Sequence, residues 1–364
     1  MPRSRPRPVA ALLSLLCVLV LTACDGDEHE TDETRAMEDE LGRLDGVVEA
    51  SVRYFDEDDD WLSIDLDLGN GRQAAAVPPL AHAVRSSVEA SDYRDNDLIA
   101  TIAWTDGEHE REMNAYGPAR TLGALSNEVA AMTLLERHDF ERVLLNVSDN
   151  ATYARYAREI DITVPVNTPG RAFVRLYDIL RTQLPDQGQE TRFSLAYDDW
   201  ETEPGHRRRF VALSSAAPEL VDRADALLRS PVPEGWRGGT DLGVSVDGVG
   251  TAPQDQYLSL RMALEPTELR DADARTLEDR ADDAAIMEPA HHLAETMATP
   301  VGRAMYDLTV ANDAGYVEVA AFYSANCAQA WADDSGRSRA VWKTWVVAGG
   351  EPEDGATATH CPDA

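Results

Sequence analysis

Several clusters in the sequence hold side chains that could do chemistry. Asp56, Glu57, Asp58, Asp59 and Asp60 put five carboxylates in a row. Calcium takes several hard oxygen ligands, and such a row could supply them. The run lacks the glycine and the closing glutamate of an EF-hand loop, so it is read first as an exposed hairpin tip, with calcium binding as the alternative. Glu288, His291, His292 and Glu295 are zinc-ligating types at spacings that one helix face would bring together. They do not form the HExxH order of a metalloprotease, and Pro289 falls where a ligand-bearing helix should be regular. Surface histidines at a helix start are the simpler expectation. His206, Arg207, Arg208 and Arg209 form the one basic island, suited to an anion or to ion pairs with nearby acids. Ser214 and Ser215 look like a helix cap, and Asp247-Gly248-Val249-Gly250 reads as a turn rather than a phosphate loop. No GxSxG elbow occurs. The expectation is a chain with no catalytic residues, no metal and no cofactor. Trp236, Trp331, Trp342 and Trp345 crowd the C-terminal third, where core packing competes with a binding surface. On a strand, Trp342 and Trp345 would face opposite sides and leave at least one exposed.

The N-terminus carries a different kind of information. Arg3, Arg5 and Arg7 precede an uncharged run from Val9 to Thr22. A basic start and a short apolar core make a secretory signal, shorter than the roughly 20 residues of a spanning helix. The run closes on Leu21-Thr22-Ala23-Cys24. This resembles the lipobox of bacterial lipoproteins, over the first two dozen residues only. The resemblance implies a diacylglycerol on the Cys24 thiol, cleavage before that residue, and a chain held by lipid on the extracytoplasmic face of the cell membrane. Two acyl chains anchor stably where one would be marginal. An ordinary cleaved signal with a chance cysteine is the alternative. Cys17 leaves with the leader. Cys327 and Cys361 then remain, and two cysteines in an oxidising compartment suggest one disulfide, with free thiols as the alternative. The bridge would close a loop of about 35 residues, worth ~4 kcal/mol in the chain-entropy model.

The chain has 66 acids and 33 bases, a net charge of −33. Loss of Arg3, Arg5 and Arg7 removes three positive charges and takes the mature chain to −36. That balance argues against nucleic acid and against docking on anionic head groups. It serves solubility, or attraction for cations and basic partners. The stretch DGDEHETDETRAMEDE, 25 to 40, is acidic and poor in apolar residues, so it is expected to be a solvated tether.

The remaining pattern must position these groups. Leu62, Ile64, Leu66 and Leu68 alternate with Ser63, Asp65 and Asp67, as in a half-buried strand. Residues 47–55 alternate similarly, so the two runs form a hairpin around the acidic turn. Leu80, Val84 and Val88 then recur at helical spacing behind Pro78 and Pro79. The same order returns: strands near 97–104 and 109–116 with a helix near 119–136; strands near 142–147 and 159–166 with a helix after Thr168-Pro169; strands near 191–198 and 208–213 with a helix near 217–229; strands near 241–247 and 257–264 with a helix near 277–298; and strands near 304–311 and 316–323. A last strand is expected near 340–348.

The expected fold class is α+β, with repeated strand–strand–helix units forming antiparallel sheets backed by helices. The expected divisions are a signal peptide 1–23, an acidic tether 24–45, and domains over 46–138, 139–235 and 236–364, the last carrying the disulfide. The expected function is a non-catalytic binding or accessory module at the cell surface, acting on a protein partner through its sheet faces or its tryptophan-rich end. The alternatives are a substrate-binding lipoprotein of a transporter and an extracytoplasmic hydrolase.

Overall fold

The structure is a computed structural model. It describes residues 28–351, apart from 30, 57–59, 150–155, 166–167, 185–189, 199–206, 231–235, 249–255, 267–268, 270–271, 301–302, 313–314 and 324–335. In chain order the elements are β1 (Glu28–His29), α1 (Asp32–Leu41), β2 (Glu49–Phe55), β3 (Trp61–Asn70), α2 (Val77–Ala90), β4 (Asp97–Asp106), β5 (His109–Pro118), α3 (Leu122–Leu135), β6 (Arg142–Ser148), β7 (Arg158–Thr163), α4 (Gly170–Gln183), β8 (Thr191–Asp198), β9 (Arg207–Leu213), α5 (Pro218–Leu228), β10 (Trp236–Gly248), β11 (Gln256–Pro266), α6 (Ala274–Arg280), α7 (Ala284–Met297), β12 (Arg303–Asn312), β13 (Gly315–Tyr323) and α8 (Gly336–Val347). No helix among the described residues is long and apolar enough to cross a membrane.

The fold is mixed α/β. The thirteen strands among the described residues join one sheet, in the order of the chain. The expected antiparallel sheets are corrected here. Hairpin partners such as β2–β3 and β4–β5 are antiparallel, but β3–β4, β5–β6, β7–β8, β9–β10 and β11–β12 pair parallel. A helix carries the chain back along the sheet before each parallel neighbour is laid down, which fixes the direction. The sheet runs on across 138/139 and across 235/236, where β9 pairs with β10.

Alternation decides which residues the helices meet. Leu62, Ile64, Leu66 and Leu68 of β3 share a face with Leu98, Ala100, Ile102 and Trp104 of β4. The same face continues through Leu145, Ile160, Phe193, Phe210, Val244, Leu260 and Leu308, all buried in one core with the helices. At the far end Tyr306 stacks on Phe322 at 5.1 Å, and Phe322 meets Trp345 at 5.5 Å. Gly170 lets α4 begin against the end of α5, because a Cβ there would lie 2.1 Å from the Leu228 carbonyl oxygen. One ion pair enters this core. Glu128 of α3 and Arg158 of β7 are each 3% exposed, with Nη2 and Oε2 2.5 Å apart. The guanidinium also reaches Thr191. Burial raises the Glu128 pKa, while the Arg158 charge and hydrogen bond oppose the rise.

Two expectations fail for physical reasons. Residues 25–40 were to stay solvated, yet Glu28–His29 pairs with β2 and 32–41 is a helix. Its few apolar residues are spaced to work together: Met37 and Leu41, four apart, enter the core beside Thr34. Thr31 and Thr34 form a reciprocal cap, and Thr31 also bonds the Tyr93 hydroxyl at 2.8 Å. The expected strand at 340–348 is helix α8. Ser338, Val341, Trp342 and Trp345 are a helical stripe that packs on β13 and α7, so both tryptophans are buried on the same side rather than split between faces.

Helical side chains also cap both sheet edges. Glu38 of α1 accepts from the Val52 amide of β2 at 3.1 Å. At the other end Ser338 accepts from the Ala321 amide of β13, and Arg337 donates to the Val319 carbonyl. Free edge groups would otherwise template pairing with another chain.

Candidate functional site

Among the described residues, no helix lies on the second face of the sheet. Its residues are the alternates of the buried ones, and register aligns them in rows across neighbouring strands. Ser51, Asp65, Thr101, Asn114, Asn146, Glu159 and Arg192 form one row over β2 to β8. A neighbouring row holds Glu49, Asp67, Ala103, Glu112, Leu144, Asp161 and Ser194. On the other side run Arg53, Ser63, Ile99, Tyr116 and Ser148. Beyond them Phe55 and Trp61 stack at 4.1 Å, 7° from parallel, beside Asp97. Glu110 and Arg142 pair at the opposite margin.

The polar rows are tightly wired. Asn114, 4% exposed, donates to Glu112 Oε1 at 2.9 Å, to Asn146 Oδ1 at 3.0 Å and to the Tyr116 hydroxyl at 3.3 Å. Its own Oδ1 has no donor. Arg142 donates to Glu112 Oε2 at 2.9 Å. The Ser63 hydroxyl reaches Asp65 at 3.4 Å. Burial raises the Asp65 pKa against a Thr101 hydrogen bond and the Arg53 charge, which lower it. Burial likewise raises the Tyr116 hydroxyl. Arg192 lies 3.7 Å from Glu159 and over the Tyr156 ring.

The face changes character toward the C-terminal strands. From β2 to β7 its described residues include eight carboxylates and two guanidiniums. From β8 onward Arg192, Arg209, Arg261 and Arg303 lie on it beside Asp307. Arg261 pairs with Asp307 at 3.5 Å, and burial raises the Asp307 pKa against that charge. Arg303 donates to the Tyr257 hydroxyl at 2.7 Å.

The residues singled out in the sequence are scattered. Cys24, Cys327, Cys361 and Trp331 lie outside the described residues, as do the middle of the Asp56–Asp60 turn and His206. Glu288, His291, His292 and Glu295 are on α7, where His291 Nδ1 meets Thr344 Oγ1 of α8 at 2.7 Å. No group of three or more His, Cys, Asp or Glu suited to a metal is found among the described residues. Arg208 donates to the Leu228 carbonyl and Arg209 to Ser194, so the basic island is split between the two faces of β9. Ser214 and Ser215 do not cap α5, whose N-cap is Ala217; they bond the Thr191 amide and Glu190. A recess of about 430 Å³ lies at the α7–α8 surface, lined by Glu295, Lys343, Thr344, Val347 and Ala348. Sequence reasoning missed the bare-face network. Its signal was present in the polar half of each alternation, but row membership needs the register between strands. No family model, no curated protein and no solved structure matches this chain.

Proposed function

We propose that this protein is an exported lipoprotein, anchored by lipid on Cys24, whose folded body is a non-catalytic binding module that uses the bare face of its sheet. One observation carries the proposal. The sheet is mixed, with seven antiparallel pairings beside five parallel ones among the described residues, and antiparallel pairing lets one face of a sheet stay uncovered. Here helices cover one face and, among the described residues, none lies on the other, which carries Tyr116, Trp61 and arginines of the kinds favoured in protein contacts beside many carboxylates. The leader and the Leu21-Thr22-Ala23-Cys24 sequence support export and lipidation. Under the same proposal the successive hairpin-plus-helix stretches are copies of one strand–strand–helix unit, and 138/139 and 235/236 are changes of unit within a continuous sheet.

Two measurements test it. Labelled palmitate should enter the wild type and not Cys24→Ser; equal labelling overturns the anchor. A photo-crosslinking residue at Ser63 on the bare face should give a discrete adduct in intact cells, and one at Ser86 on the outer surface of α2 should not. No adduct at Ser63, or equal adducts at both, overturns the contact surface.

A further inference from the structure

We propose that the acidic half of the bare face, centred on Asn114, takes the guanidinium of an arginine in a basic polypeptide segment. The proposal rests on the bare face being the contact surface. It begins from a shortage of hydrogen-bond donors. A carboxamide nitrogen has two hydrogens, and that of Asn114 faces three acceptors, on Glu112, Tyr116 and Asn146. The amide oxygen, in a residue only 4% exposed, receives nothing. Buried polar groups are rarely left in this state, and an unpaired one needs a physical explanation. Asp65, two strands away in the same row, adds acceptor oxygens to the deficit.

The cluster therefore needs cationic donors. A guanidinium carries five N–H groups in a planar fork and no acceptor, which makes it the best single remedy. The route to the buried oxygen runs through Thr101. Its side chain hydrogen-bonds Asp65 and sits directly opposite Asn114 in register. A guanidinium that takes over Asp65 releases the Thr101 hydroxyl to turn to Asn114 Oδ1. Glu112, already held on one oxygen by Arg142, keeps the other toward Asn114 and the incoming charge.

Two further features select a polypeptide. The eight-to-two excess of carboxylates over guanidiniums extends well beyond Asn114, so several positive charges are attracted at once. The stacked Phe55 and Trp61 rings lie four residues along the strands from the Asp65 row. That is about 13 Å at strand spacing, the reach between two basic side chains four apart in an extended segment. A cation over such rings is attracted by their faces.

The test uses the full mature chain and a nine-residue arginine peptide, with spermidine as the small-cation probe, near 0.15 M salt. Asp65→Asn with Glu112→Gln should weaken peptide binding about tenfold or more, as for truncated close charge pairs. Glu89→Gln with Asp222→Asn, an equal charge change on the outer faces of α2 and α5, should weaken it less than about twofold because exposed distant charges are screened. Thr101→Val, which changes no charge, should weaken binding several-fold. Equal losses in the two double variants mean diffuse charge attraction and overturn the site. So does no binding by the wild type, or spermidine binding as tightly as the peptide. Asp65→Asn should not lower thermal stability, which separates lost binding from misfolding. Ser63 crosslinks that persist in the Asp65 and Glu112 double variant would leave the contact surface standing and the arginine site overturned.

Discussion

Ile99 and Ile102 lie three residues apart on one strand, β4, and point to opposite faces. Ile102 is 1% exposed beneath the helices, between Leu66 and Met113. Ile99 is half-buried, between Ser63 and Tyr116 in register. The contrast holds strand after strand. The covered face is largely apolar, and the charges buried on it among the described residues are held by partners: Glu128 and Arg158 by each other, Arg111 by the Glu110 and Phe140 carbonyls. The bare face is polar, and its burial comes from side chains leaning together. One face is specified by packing, the other by hydrogen bonds that remain incomplete.

The largest break in the contrast is expected at the buried pair. Glu128→Ala should cost about 3–5 kcal/mol in urea denaturation, because it strands the Arg158 charge inside the core. Replacing both residues by leucine should recover most of that loss; failure to recover would mean that Arg158 has another essential role. Next comes the direct comparison. Ile102→Ala should cost about 2–5 kcal/mol as a core truncation. Ile99→Ala should cost under about 1 kcal/mol, as befits a site away from the core. Equal losses would show that the second face is covered after all. Ser338→Ala should cost about 1 kcal/mol, the worth of its hydrogen bond to the β13 edge. It should also increase self-association in sedimentation if that bond guards the edge.

The smallest effect has the opposite sign. Burial raises the Asp65 pKa above the usual carboxylate value of 3.8. A group with a raised folded pKa favours folding while protonated, and that contribution is lost as pH rises through the raised value. Asp65→Asn should therefore be slightly stabilising at pH 7 and neutral below pH 3.8, read by thermal melts across that range. A residue kept on the bare face at the expense of stability is expected where binding needs it.

Much of the fold was legible. Strict alternation in 61–68 and helical spacing in 80–88 fixed the type of most elements, because each buries one face or one stripe. Thr31 with Thr34 and the pair Met37 and Leu41 were too sparse to stand out against the acids of 25–40. The stripe Ser338, Val341, Trp342 and Trp345 was hidden by two tryptophans whose bulk suits a strand as well as a helix. The candidate site was legible only as a list of polar alternates; that Asn114 faces Thr101 and Asn146 depends on pairings between β4, β5 and β6.

What the sequence alone determined is local: the acidic charge, the hairpins and most helices, since these follow from neighbours a few residues apart. Tertiary structure decided the rest. Parallel or antiparallel pairing, the single continuous sheet, the side left without helices and the donor shortage at Asn114 all depend on contacts between distant segments. No periodicity along one strand records what lies beside it across the sheet.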